Sequence, residues 1–130
     1  MKNLLAKLFR NEEQTENLKT PKNVKATIVL MYQDLKIGVL TYESGNWTFE
    51  YSSEFKNQNE LDLLIDFPKK EKKYEQAYLW PFFAHRIPGL GQPQIQRIIE
   101  DEKLDPNNEV DLLKRFGKKS ISNPFELGFA

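Results

Sequence analysis

The side chains of greatest chemical interest in this 130-residue chain crowd into one stretch, Tyr78-Leu79-Trp80-Pro81-Phe82-Phe83-Ala84-His85-Arg86-Ile87-Pro88. It holds the only histidine, His85, beside an arginine, a tryptophan and two adjacent phenylalanines. An imidazole can serve as a general base, but only with a nucleophile and an oxyanion site assembled around it. The chain has no cysteine, and no serine motif accompanies His85. Tryptophan and arginine are instead the residue types most enriched at interaction hot spots. The stretch therefore reads as a contact surface, with Trp80, Pro81, Phe82, Phe83, His85 and Arg86 as the partner-binding candidates. Pro81 can open a helix, because a first-turn residue has no need of its own N–H. Trp80 would then stand at the helix entrance, where interface and core are both open to it. Phe82 and Phe83 are expected to turn mostly inward, and Trp80 and Arg86 to be the better placed for a partner.

Other constellations lead to weaker chemistry. Gly89 and Gly91 sit between Pro88 and Pro93 with no lysine-serine pair after them, so a phosphate-cradling loop is not expected. Glu100, Asp101, Glu102, Asp105, Glu109 and Asp111 lack calcium-loop spacing and read as the exposed sides of two helices. The run Lys69-Lys70-Glu71-Lys72-Lys73 reads as a solvated loop. No cofactor and no metal are expected, and nothing argues for an enzyme.

Bulk charge narrows the partners. Nineteen lysines and arginines equal nineteen aspartates and glutamates, so the formal net charge is zero. A dedicated nucleic-acid binder draws its affinity from neutralising phosphates, which this balance does not favour. The helices after Gln94 could pass for a helix-turn-helix, but Glu109 and Asp111 at the start of the second would repel a DNA backbone. No apolar run reaches the ~20 residues that span a bilayer, so no membrane span is expected and the cytoplasm is the default. The start, with Leu4, Leu5, Leu8 and Phe9, is too short an apolar stretch for a signal peptide.

Behind these candidates the elements can be read. Residues 1–23 form an extension and linker. Leu4, Leu5, Leu8 and Phe9 make one stripe if helical, suited to docking or a membrane surface, although a frayed terminus is the simpler reading. The packed domain is expected over 24–130. Strand character runs from 26 to 32, turns at Gln33-Asp34, and continues through Leu35, Ile37 and Val39. After Ser44-Gly45-Asn46, the alternation of Trp47, Phe49 and Tyr51 puts three aromatics on one face of an antiparallel meander. Residues 61–67 are either a fourth strand or an irregular edge. Ile95, Ile98 and Ile99 then recur at helical spacing up to about Lys103, with N-cap candidates for the next helix at 105–108. Val110, Leu113 and Phe116 stripe that helix, and Gly117 stops it. Residues 118–130 end in a short extended tail anchored by Phe125 and Leu127. The sum is an α+β fold, a small antiparallel sheet in the N-terminal half covered by about three helices in the C-terminal half.

The order of these pieces resembles the N-terminal domain of HipA-type serine/threonine kinases, the toxins of toxin–antitoxin modules. The resemblance rests on Leu35-Lys36-Ile37-Gly38-Val39-Leu40, Trp47-Thr48-Phe49-Glu50-Tyr51, Phe67-Pro68, Trp80-Pro81-Phe82-Phe83 with Ile87-Pro88, and Val110-Asp111-Leu112-Leu113 before Gly117. It covers about 27–117. The kinase core of a full HipA-type toxin, with its phosphate-binding loop and catalytic aspartates, does not follow. The ending from Gly117 to Leu127 is similar to that of stand-alone HipA N-terminal domain proteins such as the HipS component of HipBST systems. The resemblance implies a non-catalytic subunit that binds and restrains a HipT/HipA-like kinase. It leaves room for a scaffold that joins the kinase to a HipB-like DNA-binding protein, and apart from the family a general protein or RNA adaptor stays open.

Overall fold

A computed structural model describes residues 20–130. The stripe expected at Leu4, Leu5, Leu8 and Phe9 lies outside these residues. In chain order the elements are β1 (Ala26–Tyr32), β2 (Leu35–Glu43), β3 (Asn46–Tyr51), α1 (Ser53–Lys56), β4 (Tyr74–Gln76), α2 (Pro81–Ala84), α3 (Pro93–Glu102), α4 (Glu109–Phe116) and β5 (Glu126–Phe129). The strands form one antiparallel sheet in the order β4-β3-β2-β1-β5. This is the expected α+β architecture, with two strands added to the meander. Short β4 pairs with β3, Gln76 opposite Trp47. The C-terminal tail is a strand that pairs with β1 along the sheet's edge, Leu127 opposite Leu30.

The meander follows from period-2 patterning and turn chemistry. Ile28, Leu30, Leu40, Tyr42, Trp47, Phe49 and Tyr51 are all buried. The register pairs Ile28 with Leu40, Leu40 with Phe49 and Tyr42 with Trp47, so these side chains share one face. Ser44 and Gly45 both take positive φ (55° and 86°), the backbone that a tight hairpin with twisted strands requires. Gly38 serves a different purpose. A Cβ there would stand 2.5 Å from Phe49 Cζ and 2.7 Å from the Glu50 carbonyl oxygen, so the β2–β3 ladder closes only over a glycine.

The segment 61–67 is the irregular alternative, not a strand. It is tied down by one phenol: Tyr51 Oη accepts from the Leu64 N–H (2.8 Å) and donates to the Phe67 carbonyl (2.7 Å). Burial pushes that phenol's pKa up to about 12. Phe67, fully buried, then becomes the centre of the aromatic core, stacked on Phe49 at 4.1 Å and meeting Trp80 edge-on at 5.0 Å. Among the described residues, four short helices accompany the sheet. Asn108 caps α4 by accepting from the Asp111 N–H (3.1 Å), and Lys103 closes α3 in the left-handed conformation. Gly117 ends α4 at a φ of −101°, so its role is contact: a Cβ would lie 2.9 Å from the Leu113 side chain and carbonyl oxygen. No helix among the described residues is long and apolar enough to cross a membrane.

Candidate functional site

The Trp80 segment folds as a single helical turn, not the longer helix its composition invites. Pro81 takes the first helical position and Trp80 the cap. Trp80 supplies no side-chain cap hydrogen bond. The vacant cap is filled from sixteen residues upstream, where Asp66 Oδ2 accepts from the Phe82 N–H at 2.8 Å. A carboxylate there also suits the positive end of the helix dipole. Asp66 thus fixes α2 against the 61–67 segment, a role that no local spacing in the sequence announces.

The helix turn sorts the six candidate residues into two sets. Trp80 is 7% exposed and packs edge-on to Phe67, and Phe83 is fully buried against Phe49 and Phe67. Arg86, also 7% exposed, is buried as well. Pro81 and His85 are exposed, and Phe82 is half-buried. For Trp80, open to interface or core, the structure gives core, and Arg86, expected to be the better placed for a partner, is buried instead. Trp80 turns inward because its ring completes the aromatic cluster around Phe67. Arg86 turns inward because carbonyl groups await it. Its Nη1 donates to the Gly117 carbonyl (2.9 Å), and its Nη2 donates to Asn123 Oδ1 (3.0 Å) and the Phe125 carbonyl (2.8 Å). Burial pulls the guanidinium's pKa below the usual arginine range, and the Glu126 carboxylate pushes it back. Its Nε is buried without a hydrogen-bond partner among the described residues.

Around this pair of elements runs a groove of about 190 Å³. Phe82 and Arg86 line it together with Pro81 and His85, Ile65 and Asp66 stand on one side, and Ser120, Ser122 and Asn123 on the other. Ile65, one of the lining residues, is 89% exposed, and Ile121, between the two lining serines in the chain, is fully exposed. Exposed apolar side chains of that size, gathered at a groove, mark an interaction site more often than isolated ones do. The volume decides what kind. Pockets for drug-sized ligands run ~300–1,000 Å³, so this one fits a single inserted side chain better than a nucleotide. Among the described residues the His85 imidazole makes no hydrogen bond, and no group of three or more histidines and carboxylates converges to hold a metal.

A family model described as the HipA N-terminal domain matches residues 28–121. The chain belongs to the HipA N-terminal domain family. The match runs from β1 to the residue between the two groove serines, so it includes the Trp80 segment, Asp66 and both isoleucines. No curated protein matches the chain at a significant level. The HipA N-terminal domain is a non-catalytic part of its family's architecture, and it sets this chain in the context of toxin–antitoxin modules.

Of the sequence-predicted site residues, the fold brings Pro81, Phe82, His85 and Arg86 to the groove and places Trp80 and Phe83 behind it. Sequence reasoning missed Ile65, Asp66 and the 120–123 segment. The one usable signal was Ile65, an aliphatic residue in a run whose pattern fits neither a strand nor a helix.

Proposed function

We propose that this chain is a non-catalytic, kinase-binding protein of a toxin–antitoxin module, one that docks on a HipT/HipA-type serine/threonine kinase and restrains it. Membership of the HipA N-terminal domain family carries this reading. The groove beside α2 supports it, because its exposed Ile65 and half-buried Phe82, with the fully exposed Ile121 between two lining serines in the chain, are apolar surface of the sort that a partner covers. In this proposal Ile65, Pro81, Phe82, His85 and Ile121 make the contact. Trp80, Phe83 and Arg86 act from beneath, holding the shape of that surface.

The test is phosphorylation by a HipA-type kinase core whose own N-terminal domain has been removed, with and without added chain. Dose-dependent loss of autophosphorylation is expected, and an Ile65→Glu, Ile121→Glu double variant should lose that effect while keeping its thermal midpoint. Undiminished kinase activity at saturating chain would refute restraint. Equal inhibition by the double variant would move the contact elsewhere.

A further inference from the structure

Arg86 is a buried charge without a counter-ion. A guanidinium carries five N–H donors, and three are spent on the Gly117 carbonyl, Asn123 Oδ1 and the Phe125 carbonyl, all neutral oxygens. One Nη1 N–H and the Nε N–H are left over, and Nε is buried without a partner among the described residues. Ion pairs among these residues join Lys25 to Glu43, Lys56 to Glu71 and Arg115 to Glu102, and none involves Arg86. Glu126 acts on it only from a distance. Buried charges are normally paired, because an ion taken out of water loses its hydration.

The same side chain lines the 190 Å³ groove beside α2. Ser120 and Ser122 line it too, and their hydroxyls bond each other at 2.8 Å. One O–H is the donor in that pair, so the other has no acceptor among the described residues and can donate to a ligand. The lining carboxylate, Asp66, stands on the opposite side and is held by the Phe82 N–H at 2.8 Å. Its charge opposes an incoming anion, and a doubly charged one more than a singly charged one. Apolar Ile65, Pro81 and Phe82 complete the wall, and a partner closing over them would shed water and strengthen a charge pair beneath.

We propose that the groove seats one acidic side chain, an aspartate or glutamate of the docking partner, with its carboxylate set against Arg86 and the Ser120 and Ser122 hydroxyls. The volume suits a single side chain, and the unpaired guanidinium selects its charge. The identity of the partner rests on the kinase reading. The seat itself does not.

The seat is tested on the full chain, isotope-labelled and titrated with sodium acetate at fixed ionic strength. The Arg86 Nε–H signal and the Ser120 and Ser122 amides should shift saturably. Acetamide, of similar shape and without charge, should not move them. Asp66→Asn keeps an acceptor for the Phe82 N–H and removes the opposing charge, so it should tighten acetate binding about twofold or more. Ser122→Glu carries its own carboxylate, so it should stop responding to acetate and melt at a higher temperature than Ser122→Gln. In docking to a HipA-type kinase core, Ser122→Glu should weaken binding about tenfold more than Ser122→Gln does. No saturable shift, an equal shift with acetamide, or a stronger response to inorganic phosphate than to acetate would overturn the carboxylate seat. Equal weakening by the two Ser122 variants would overturn its occupation by the partner. A wild-type chain that binds no kinase core would instead refute the kinase reading, and the acetate titration would still decide the seat.

Discussion

Replacing Arg86 by alanine should loosen the domain at one identifiable place. The side chain donates three hydrogen bonds, to acceptors 31, 37 and 39 residues further along. Hydrogen bonds from a charged donor contribute ~1.5–3 kcal/mol each, but a buried guanidinium also carries several kcal/mol of desolvation cost that its removal relieves. Alanine would leave the Gly117 and Phe125 carbonyls without their donor, each at a cost of ~1–3 kcal/mol. Arg86 lines the groove, so water can reach part of the vacated space and soften the loss. The net expectation is a destabilisation of about 3 kcal/mol, at the low end for breaking a buried charged cluster. In a domain of this size that lowers the thermal midpoint by ~10–15 °C. Lysine, with a point charge and no planar fork, should recover less than half of it. Urea denaturation reads the magnitude, and amide exchange reads the place. The Leu127 N–H, bonded to the Lys118 carbonyl at 2.9 Å, should lose protection before the β2–β3 ladder does. An alanine variant within 1 kcal/mol of the parent, or full recovery by lysine, would refute the clamp.

Glu109 makes stability depend on pH. Burial raises its carboxyl to about 7, while the nearby Trp47 indole, buried without a hydrogen bond of normal geometry, pulls the other way. The N-terminal dipole of α4 also favours the ionised form by ~0.3–1 kcal/mol, less than the burial effect. A carboxyl whose folded pKa is raised gives its full stability below its ordinary pKa and loses it as pH climbs through about 7. The loss should be ~1–2 kcal/mol after allowance for solvent screening, and Glu109→Gln should flatten the urea midpoint between pH 5 and pH 8. Parallel slopes for the two proteins would reject this origin. Tyr51→Phe leaves the Leu64 N–H without its acceptor and should cost ~1–3 kcal/mol by urea denaturation, with the 61–67 segment exchanging faster. Gly38→Ala places a methyl against the Phe49 ring and the Glu50 carbonyl, and should cost ~1–3 kcal/mol or more. A neutral result would mean that β2 and β3 can separate without penalty.

Much of the sheet was legible because its determinants are local. Alternating Trp47, Phe49 and Tyr51 and the Ser44-Gly45 turn are read within a few residues of themselves. The end of α3 at Lys103 and the Asn108 cap follow from equally short-range chemistry. What stayed hidden is long-range. The sequence pattern marks Arg86 as a charge for the surface, and only the fold brings it the carbonyls of Gly117 and Phe125. Trp80 is drawn inward by Phe67, thirteen residues earlier in a segment of no regular period. The tail strand β5 has four residues and a glycine, too little alternation to declare itself, and is defined by its pairing with β1. The groove was invisible for the same reason, since its two sides, 65–66 and 120–123, lie more than fifty residues apart in the chain.

Calorimetric titration of a HipA-type kinase core, stripped of its own N-terminal domain, is the most direct measurement of the central claim. The wild-type chain should bind with one-to-one stoichiometry. The Ile65→Glu, Ile121→Glu variant, folded to the same thermal midpoint, should bind at least tenfold more weakly, a loss of ~1.4 kcal/mol or more. No heat of binding with the wild type, or equal affinity for both proteins, would contradict a kinase-docking surface at this groove.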